Sequence, residues 1–215
     1  CSLDAAEWLF ESVDNVYILK NAIDLSKFSF NINDRKIIRN SFEISDDEIV
    51  IGHIGRFEEQ KNHKFLIDLF DNLYKINNKY KLILIGIGDL MDSFKDYVSK
   101  LPCSDNVIFL GSRNDVPNLL QAFDLFLFPS LFEGLGIVLI EAQVSGLPCI
   151  SSKNVPYEVK ITDNVDFLDL DIKLWLDTIL NKEIVKRDLQ FDLVSKAGYN
   201  IVDASSELDS FYKSI

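Results

Sequence analysis

The sequence predicts an α/β fold: a doubly wound, Rossmann-like parallel sheet with helices on both faces. Three observations predict it. Five short runs, "IVIGHIG", "KLILIG", "NVIFLG", "DLFLFPS" and "LPCIS", are apolar at consecutive rather than alternate positions, the pattern of strands covered on both faces. A segment with helical periodicity separates each run from the next, and strands that alternate with helices build βαβ units. The composition allows a sizeable core, with 47% hydrophobic and 26% charged residues in a chain of 215, which is ordinary for a soluble globular protein.

Taken in order, Ser2 to Phe10 places Leu3, Ala6 and Phe10 at helical spacing and reads as an amphipathic helix. "NVYILKNAID" reads as a short extended run and "NDRKIIRNSFEI" as a polar helix. The regular alternation begins at Ile49. The first strand leads through the polar loop "RFEEQKN" into the helix "HKFLIDLFDNLYKIN", with Phe65, Leu66, Leu69, Phe70 and Leu73 on one face. The second strand precedes the helix "DLMDSFKDYVSKL", and the third precedes "DVPNLLQAF", whose first turn tolerates Pro117. The fourth precedes the helix "IVLIEAQVS", and "LPCIS" is the fifth. After Val165 the strand signal fades. "DFLDL" reads as a last short strand and the rest as two or three helices, with Trp175, Leu176, Ile179 and Leu180 on one face. No repeat, low-complexity tract or Pro/Gly linker interrupts this pattern.

The net charge of −12 argues against nucleic acid as a partner, which needs clustered Lys and Arg. A small phosphate ligand stays open, because a few cations and backbone N–H groups can hold one. No apolar run approaches the ~18–20 residues of a membrane span, and nothing resembles a signal peptide. Cys1, Cys103 and Cys149 are scattered without metal-ligand spacing, which suits a reducing compartment. His53 and His63 have no Cys or His nearby at ligand spacing, so no metal is expected. The chain starts at Cys1, and it reads as a piece of a longer protein.

In a doubly wound sheet, ligands bind outside the carboxyl ends of the strands, so the loops that follow strands are the places to search. In the first, "GRFEEQKN", Arg56 and Lys61 approach a helix N-terminus and could clamp a diphosphate. By itself this loop fits a solvated charged surface better, since Glu58 and Glu59 are adjacent. In the second, "GIGD", Gly86 and Gly88 permit a tight turn and close approach of a ligand to backbone; the stretch lacks the third glycine of the dinucleotide fingerprint. In the third, "GSRND", Gly111 and Ser112 can present backbone to a flat base and Arg113 can stack or bond. Equally, Ser112, Asn114 or Asp115 can cap the next helix. The fourth contains "FEGLGIVLIEAQ". A continuous helix would set Glu133 and Glu141 ~12 Å apart, but the Gly-Leu-Gly break puts Glu133 in the loop and Glu141 in the helix. Two such acids suit two handles on one extended, hydroxyl-bearing ligand better than a proton-trading pair, with the N–H groups of Gly134, Leu135 and Gly136 between them for a phosphate.

With these loops in place, the chain resembles the C-terminal domain of a family-4 retaining glycosyltransferase with the GT-B fold. The elements that carry the resemblance are "NAID", "GHIGRFEEQKN", "LILIGIGD", "VIFLGSRNDV", "DLFLFPSLFEGLGIVLIEAQVSGLPCI" and the helical tail. They stand in the family's order, and the wording is most similar to bacterial capsular and exopolysaccharide enzymes. The resemblance implies that Arg56 and Lys61 hold the donor diphosphate and stabilise the leaving nucleoside diphosphate. Glu133 would contact donor-sugar hydroxyls and Glu141 the ribose. The backbone of Gly134 to Gly136 would meet sugar and phosphate, Ser112 and Arg113 would frame the base, and Gly55, Gly86 and Gly88 would line the donor site. It further implies a UDP-sugar as donor substrate, no cofactor and no metal, because Arg and Lys neutralise the charge.

The same resemblance implies three regions: residues 1–30 as the end of an absent N-terminal domain and the connection from it, 31–208 as the donor-binding Rossmann-like domain, and 209–215 as a helical tail. Phe211 and Tyr212 would pack back against the opening helix. The acceptor, a saccharide or polyprenyl-linked saccharide, would be held by the absent domain. A cytoplasmic location follows, with at most peripheral association at the inner face of the membrane. One position departs from the pattern: Gly136 stands where many relatives carry Pro, which leaves that turn more flexible. A non-catalytic nucleotide-sugar binding module and a nucleotide-sugar epimerase-like relative are the other readings.

Overall fold

The computed structural model describes residues 7, 9–11, 14, 16–182, 187 and 190–214. Its sheet contains β1 (Ile49–Ile54), β2 (Tyr80–Ile85), β3 (Val107–Gly111), β4 (Leu125–Phe128), β5 (Cys149–Ser152) and β6 (Val165–Leu168). All neighbours pair in parallel, in the order β3-β2-β1-β4-β5-β6. The five expected strands are present, and the faint sixth is real. The chain therefore winds outward from β1 in one direction and returns to wind outward from β4 in the other. The switch point lies between β1 and β4, where Ile51 pairs with Leu125 and Gly52 with Phe126; a crevice there is where such sheets take ligands.

The helices are α1 (Leu25–Phe28), α2 (Ile32–Ser41), α3 (His63–Ile76), α4 (Met91–Val98), α5 (Val116–Ala122), α6 (Ile137–Val144), α7 (Ile172–Asn181), α8 (Phe191–Val194) and α9 (Ile201–Ser214). Side chains of successive strand residues point to opposite faces, so each strand supplies two cores. Val50, Ile83, Phe126 and Phe128 join Leu119, Leu139 and Ile140 on one face. Ile51, Leu82, Leu84, Leu125 and Leu127 join Leu66, Leu69, Phe70, Leu73 and Trp175 on the other. This is why the strands read as unbroken apolar runs.

In α7, Trp175 and Ile179 are buried but Leu180 is 43% exposed, because one residue is a ~100° step round the helix; the expected four-residue face is narrower. Among the described residues of "NVYILKNAID", only Ile23 pairs, in an isolated parallel bridge to Asn200. Most of the opening helix expected over Ser2 to Phe10 lies outside the described residues. Further on, the ring of Tyr17 stacks on Phe211 with centroids 4.6 Å apart. No helix among the described residues is long and apolar enough to cross a membrane.

The amino edge of the sheet is tied by one acid. Asp124, just before β4, accepts from Arg35 Nη2 at 2.6 Å, Arg39 Nη1 at 3.0 Å and the Val50 N–H at 2.8 Å. Arg39 also donates to the carbonyls of Ser45 and Glu48 at 2.6 and 2.7 Å. The Arg187 guanidinium donates to the carbonyls of Leu120 and Gln121 at 2.9 and 3.1 Å, closing the C-terminal end of α5, where free carbonyls favour cations.

Candidate functional site

Two loops meet at the switch point on the carboxyl edge. The loop after β1 ends in a 3-10 turn (Glu59–Lys61) and in Asn62, whose φ of 54° starts α3. The loop after β4 runs from Pro129 to Gly136 and enters α6. Lys61 Nζ lies 2.5 Å from Glu133 Oε1, and the two side chains are only 17% and 7% exposed. At such burial the attraction is screened far less than in a surface pair, and it offsets a larger desolvation cost. The Lys61 ammonium also sits 5.1 Å from the centroid of the Phe128 ring, a cation–π distance.

The first loop clasps the fourth through further contacts. The Gln60 carbonyl accepts from the Leu131 N–H at 2.8 Å, and Gln60 Nε2 donates to the Phe132 carbonyl at 3.0 Å. Asn62 Nδ2 donates to the Pro129 carbonyl at 3.2 Å. Gln60 and Asn62 were not legible as site residues; both stand in "EEQKN", but their partners lie about 70 positions away, as the separations of 72 and 67 show.

Gly136 caps α6 in the left-handed region at φ 85°, and a Cβ there would stand 3.1 Å from a Phe128 ring carbon. Both facts favour glycine. Among the described residues no side chain caps the helix, and the N–H groups of Leu135, Gly136, Ile137 and Val138 have no backbone acceptor. They form a cluster of free donors at the positive end of a helix dipole, beside the Lys61–Glu133 pair. One turn into α6, Glu141 is partly buried between buried Ile140 and Ala142. Burial pushes its carboxyl up to about 7, and among the described residues it has no hydrogen bond or ion pair. Glu133 is thus bonded to a cation and Glu141 to none of the described residues, so the two acids do not behave as one unit.

The remaining expected residues are distributed as follows. Arg56 pairs with Glu58 at 2.7 Å, and its side chain is 75% exposed, so it takes no part in the Lys61–Glu133 bond. The Gly55 N–H donates to the Ile85 carbonyl at 2.9 Å. Gly86 and Gly88 do permit a close approach, but the neighbour is protein. A Cβ on Gly86, where φ is 143°, would lie 2.0 Å from the Gly55 carbonyl oxygen, and one on Gly88 would lie 2.5 Å from that of Phe57. The second loop thus packs on the first and sets its height. Gly111 has φ 65° with open space at its Cβ position. Arg113 donates from Nε and Nη2 to the Asp115 carboxylate at 2.7 and 2.6 Å, so it is held along the loop. Neither Ser112 nor Asn114 caps α5, and Asp115 stands at the cap position with its carboxylate turned to Arg113 and no bond to the helix N–H groups.

Two further side chains lie beneath the first loop. His53 and His63 are buried, with ring centroids 4.8 Å apart and edge to face. Their spacing in sequence told only against a metal site. Among the described residues no group of three or more His, Cys, Asp or Glu side chains is placed to hold a metal ion.

Comparison with known proteins bears on this geometry. The model of the family "Glycosyl transferases group 1" matches residues 34–171. The putative glycosyltransferase EpsF of Bacillus subtilis is 34% identical over 219 aligned positions, covering 93% of this chain and 55% of that protein. The UDP-Gal:alpha-D-GlcNAc-diphosphoundecaprenol alpha-1,3-galactosyltransferase of Escherichia coli is 29% identical, covering 92% of this chain and 54% of its own length. The chain spans about half the length of these curated relatives. Among solved structures, HepE of Anabaena in complex with UDP-glucose superposes with a TM-score of 0.81 over 99% of this chain and 62% of that one, at 19% identity. That likeness establishes the fold, the GT-B half-fold that the family resemblance implied. Both the matched span, which contains β1 to β6 and the two clasped loops, and the identity to EpsF place this chain in the group 1 glycosyl transferases.

Proposed function

We propose that this chain is the donor-binding half of a retaining glycosyltransferase that takes a UDP-sugar and serves cell-surface polysaccharide synthesis. The observation that carries the reading is the buried Lys61–Glu133 bond beside the uncapped N-terminus of α6, at the switch point of the sheet. A cation, a carboxylate and a row of free N–H donors converge there, and a sugar diphosphate needs all three.

In this reading the donor breaks the Lys61–Glu133 bond and uses both halves. The diphosphate oxygens accept from Lys61 Nζ and from the N–H groups at Gly134 to Gly136, while Glu133 accepts from sugar hydroxyls. Glu141, ionised by the contact, accepts from the ribose hydroxyls, and the backbone at Ser112 and Arg113 frames the base. Arg56 leaves Glu58, an exposed pair worth ~0–1 kcal/mol, and adds its charge to the diphosphate. In the transfer, the bond from the anomeric carbon to the phosphate oxygen breaks and its electrons stay on the phosphate. Lys61, Arg56 and the α6 N–H groups stabilise that charge as it develops. The acceptor hydroxyl attacks from the face the leaving group vacates, and its proton passes to the departing phosphate oxygen, which gives retention without a metal. The acceptor would be a saccharide, lipid-linked as the name of the Escherichia coli relative states for its own, and would be held by a second domain preceding residue 31. The whole protein would work in the cytoplasm, at most peripherally at the membrane.

Calorimetric titration of UDP and UDP-glucose into this chain tests the reading. Saturable binding in the high-micromolar range or weaker is expected, since the site is open on one side. No binding of any nucleotide or nucleotide sugar would overturn it. In the complete enzyme, release of UDP in a screen of UDP-sugars is the expected activity.

A further inference from the structure

The buried imidazole pair under the first loop has no role in the donor contacts above. His53 is the fifth residue of β1 and is fully buried, with Nδ1 2.8 Å from the Leu127 carbonyl oxygen. A carbonyl only accepts, so Nδ1 carries the proton and Nε2 is left as a lone-pair acceptor. That Nε2 has no hydrogen-bond partner among the described residues. A Cβ on Gly55 would lie 2.9 Å from Nε2 and 3.1 Å from Lys61 Cγ, so the lone pair and the lysine stem meet at one point under the loop. His63 closes the space from the side: its ring stacks on Phe57 at 4.0 Å and lies edge-on to His53 at 4.8 Å. Burial, with Lys61 as a further contribution, lowers His53 to about 4 and His63 to about 2, so both rings are neutral near pH 7. A buried acceptor without a donor is costly and calls for an explanation. His63 Nδ1 and Nε2 are likewise without a hydrogen-bond partner among the described residues, so the His63 ring does not supply that donor, and the Lys61 stem is the cationic side chain that reaches the same point under the loop.

We propose that His53 is a positioning residue acting through Lys61: Nε2 takes a hydrogen bond from the ammonium once a donor sugar occupies Glu133. In the free chain Glu133 holds Lys61. When sugar hydroxyls claim that carboxylate, Lys61 loses its anchor at the moment it must face the diphosphate, and an acceptor fixed to the sheet through Leu127 keeps it aimed. The inference rests on the donor-site reading.

Two conservative variants separate this role from a packing role. His53→Asn keeps an N–H at the Nδ1 position for the Leu127 carbonyl and lacks the distal acceptor. His53→Gln keeps an acceptor near the Nε2 position and lacks the bond to Leu127. Expected for His53→Asn are a melting temperature close to wild type, about tenfold weaker UDP-glucose binding and unchanged uridine binding. His53→Gln is expected to melt lower yet bind UDP-glucose more tightly than His53→Asn. Long-range proton–nitrogen spectra of the wild type need no variant; they should show the Nδ1–H tautomer of His53 and a shift of its Nε2 resonance on adding UDP-glucose. An Nε2–H tautomer, an unmoved resonance at saturation, or equal affinities in wild type and His53→Asn would overturn the inference alone. Absence of UDP-glucose binding by the wild type would overturn the donor-site reading and this inference with it.

Discussion

Two acids at opposite edges of the same sheet have opposite surroundings. Asp124 at the amino edge is buried and accepts from two arginines and a backbone N–H. Glu141 at the carboxyl edge is partly buried and has no partner among the described residues; burial alone raises it to about 7. Desolvating a carboxylate is expensive. At Asp124 the fold offsets that cost with a complete shell, while at Glu141 it leaves the cost standing. Glu133 is intermediate, with one strong partner that a ligand can displace. An acid whose shell is full holds the fold together, and an acid whose shell is empty is available to a ligand.

The sharpest way to break this contrast is at Asp124. Asp124→Ala leaves Arg35 and Arg39 without their counter-charge and is expected to cost about 3–5 kcal/mol of stability, read by denaturant unfolding. A loss under 1 kcal/mol would mean that the amino edge does not depend on the acid. Next comes Lys61→Ala, expected to weaken UDP binding about 10- to 100-fold and to leave uridine binding unaltered.

Glu141→Gln separates stability from binding by pH. The folded state raises this carboxyl above its unfolded value of 4.5, so between those two values the fold holds the proton that the unfolded chain has lost. Stability at this group is therefore full below pH 4.5 and is lost as pH rises through about 7. The variant should melt about 2–6 °C above wild type at pH 8 and alongside it at pH 4. Donor binding should show the reverse preference: wild type gains affinity from pH 6 to 8 as the carboxylate forms, and Glu141→Gln does not. The smallest effect belongs to Arg56→Ala. Its own side chain is exposed and its partner Glu58 half-buried, so stability should change by less than ~0.5 kcal/mol and UDP affinity by about two- to threefold, diminishing at high salt.

The contrast also marks what the sequence could disclose. Strands that are apolar at every position, such as "KLILI", announce a sheet covered on both faces, and their alternation with helices announces the order of winding. The carboxyl-edge loops follow from that, and with them Lys61, Glu133, Gly136 and Glu141. Partnerships across the switch point do not. Lys61 meets Glu133 across 72 positions, and Arg39 meets Asp124 across 85; such pairs become visible only once β4 is known to lie beside β1. The glycines of "GIGD" were legible as a turn, but the backbone they approach was not. Arg113 is held by Asp115, a neighbour two residues on, which a local reading could have found. The histidines were judged by ligand spacing, and that question is blind to a tautomer fixed by a carbonyl.

The central claim, that the carboxyl edge holds a nucleoside diphosphate sugar through Lys61 and its neighbours, meets its most direct test in one calorimetric comparison at pH 8. UDP-glucose is titrated into the wild-type chain and into Lys61→Ala at equal ionic strength. Weak saturable binding by the wild type, with at least about a tenfold loss in the variant, is the predicted result. Equal affinity in both, or no heat of binding in the wild type, would contradict it.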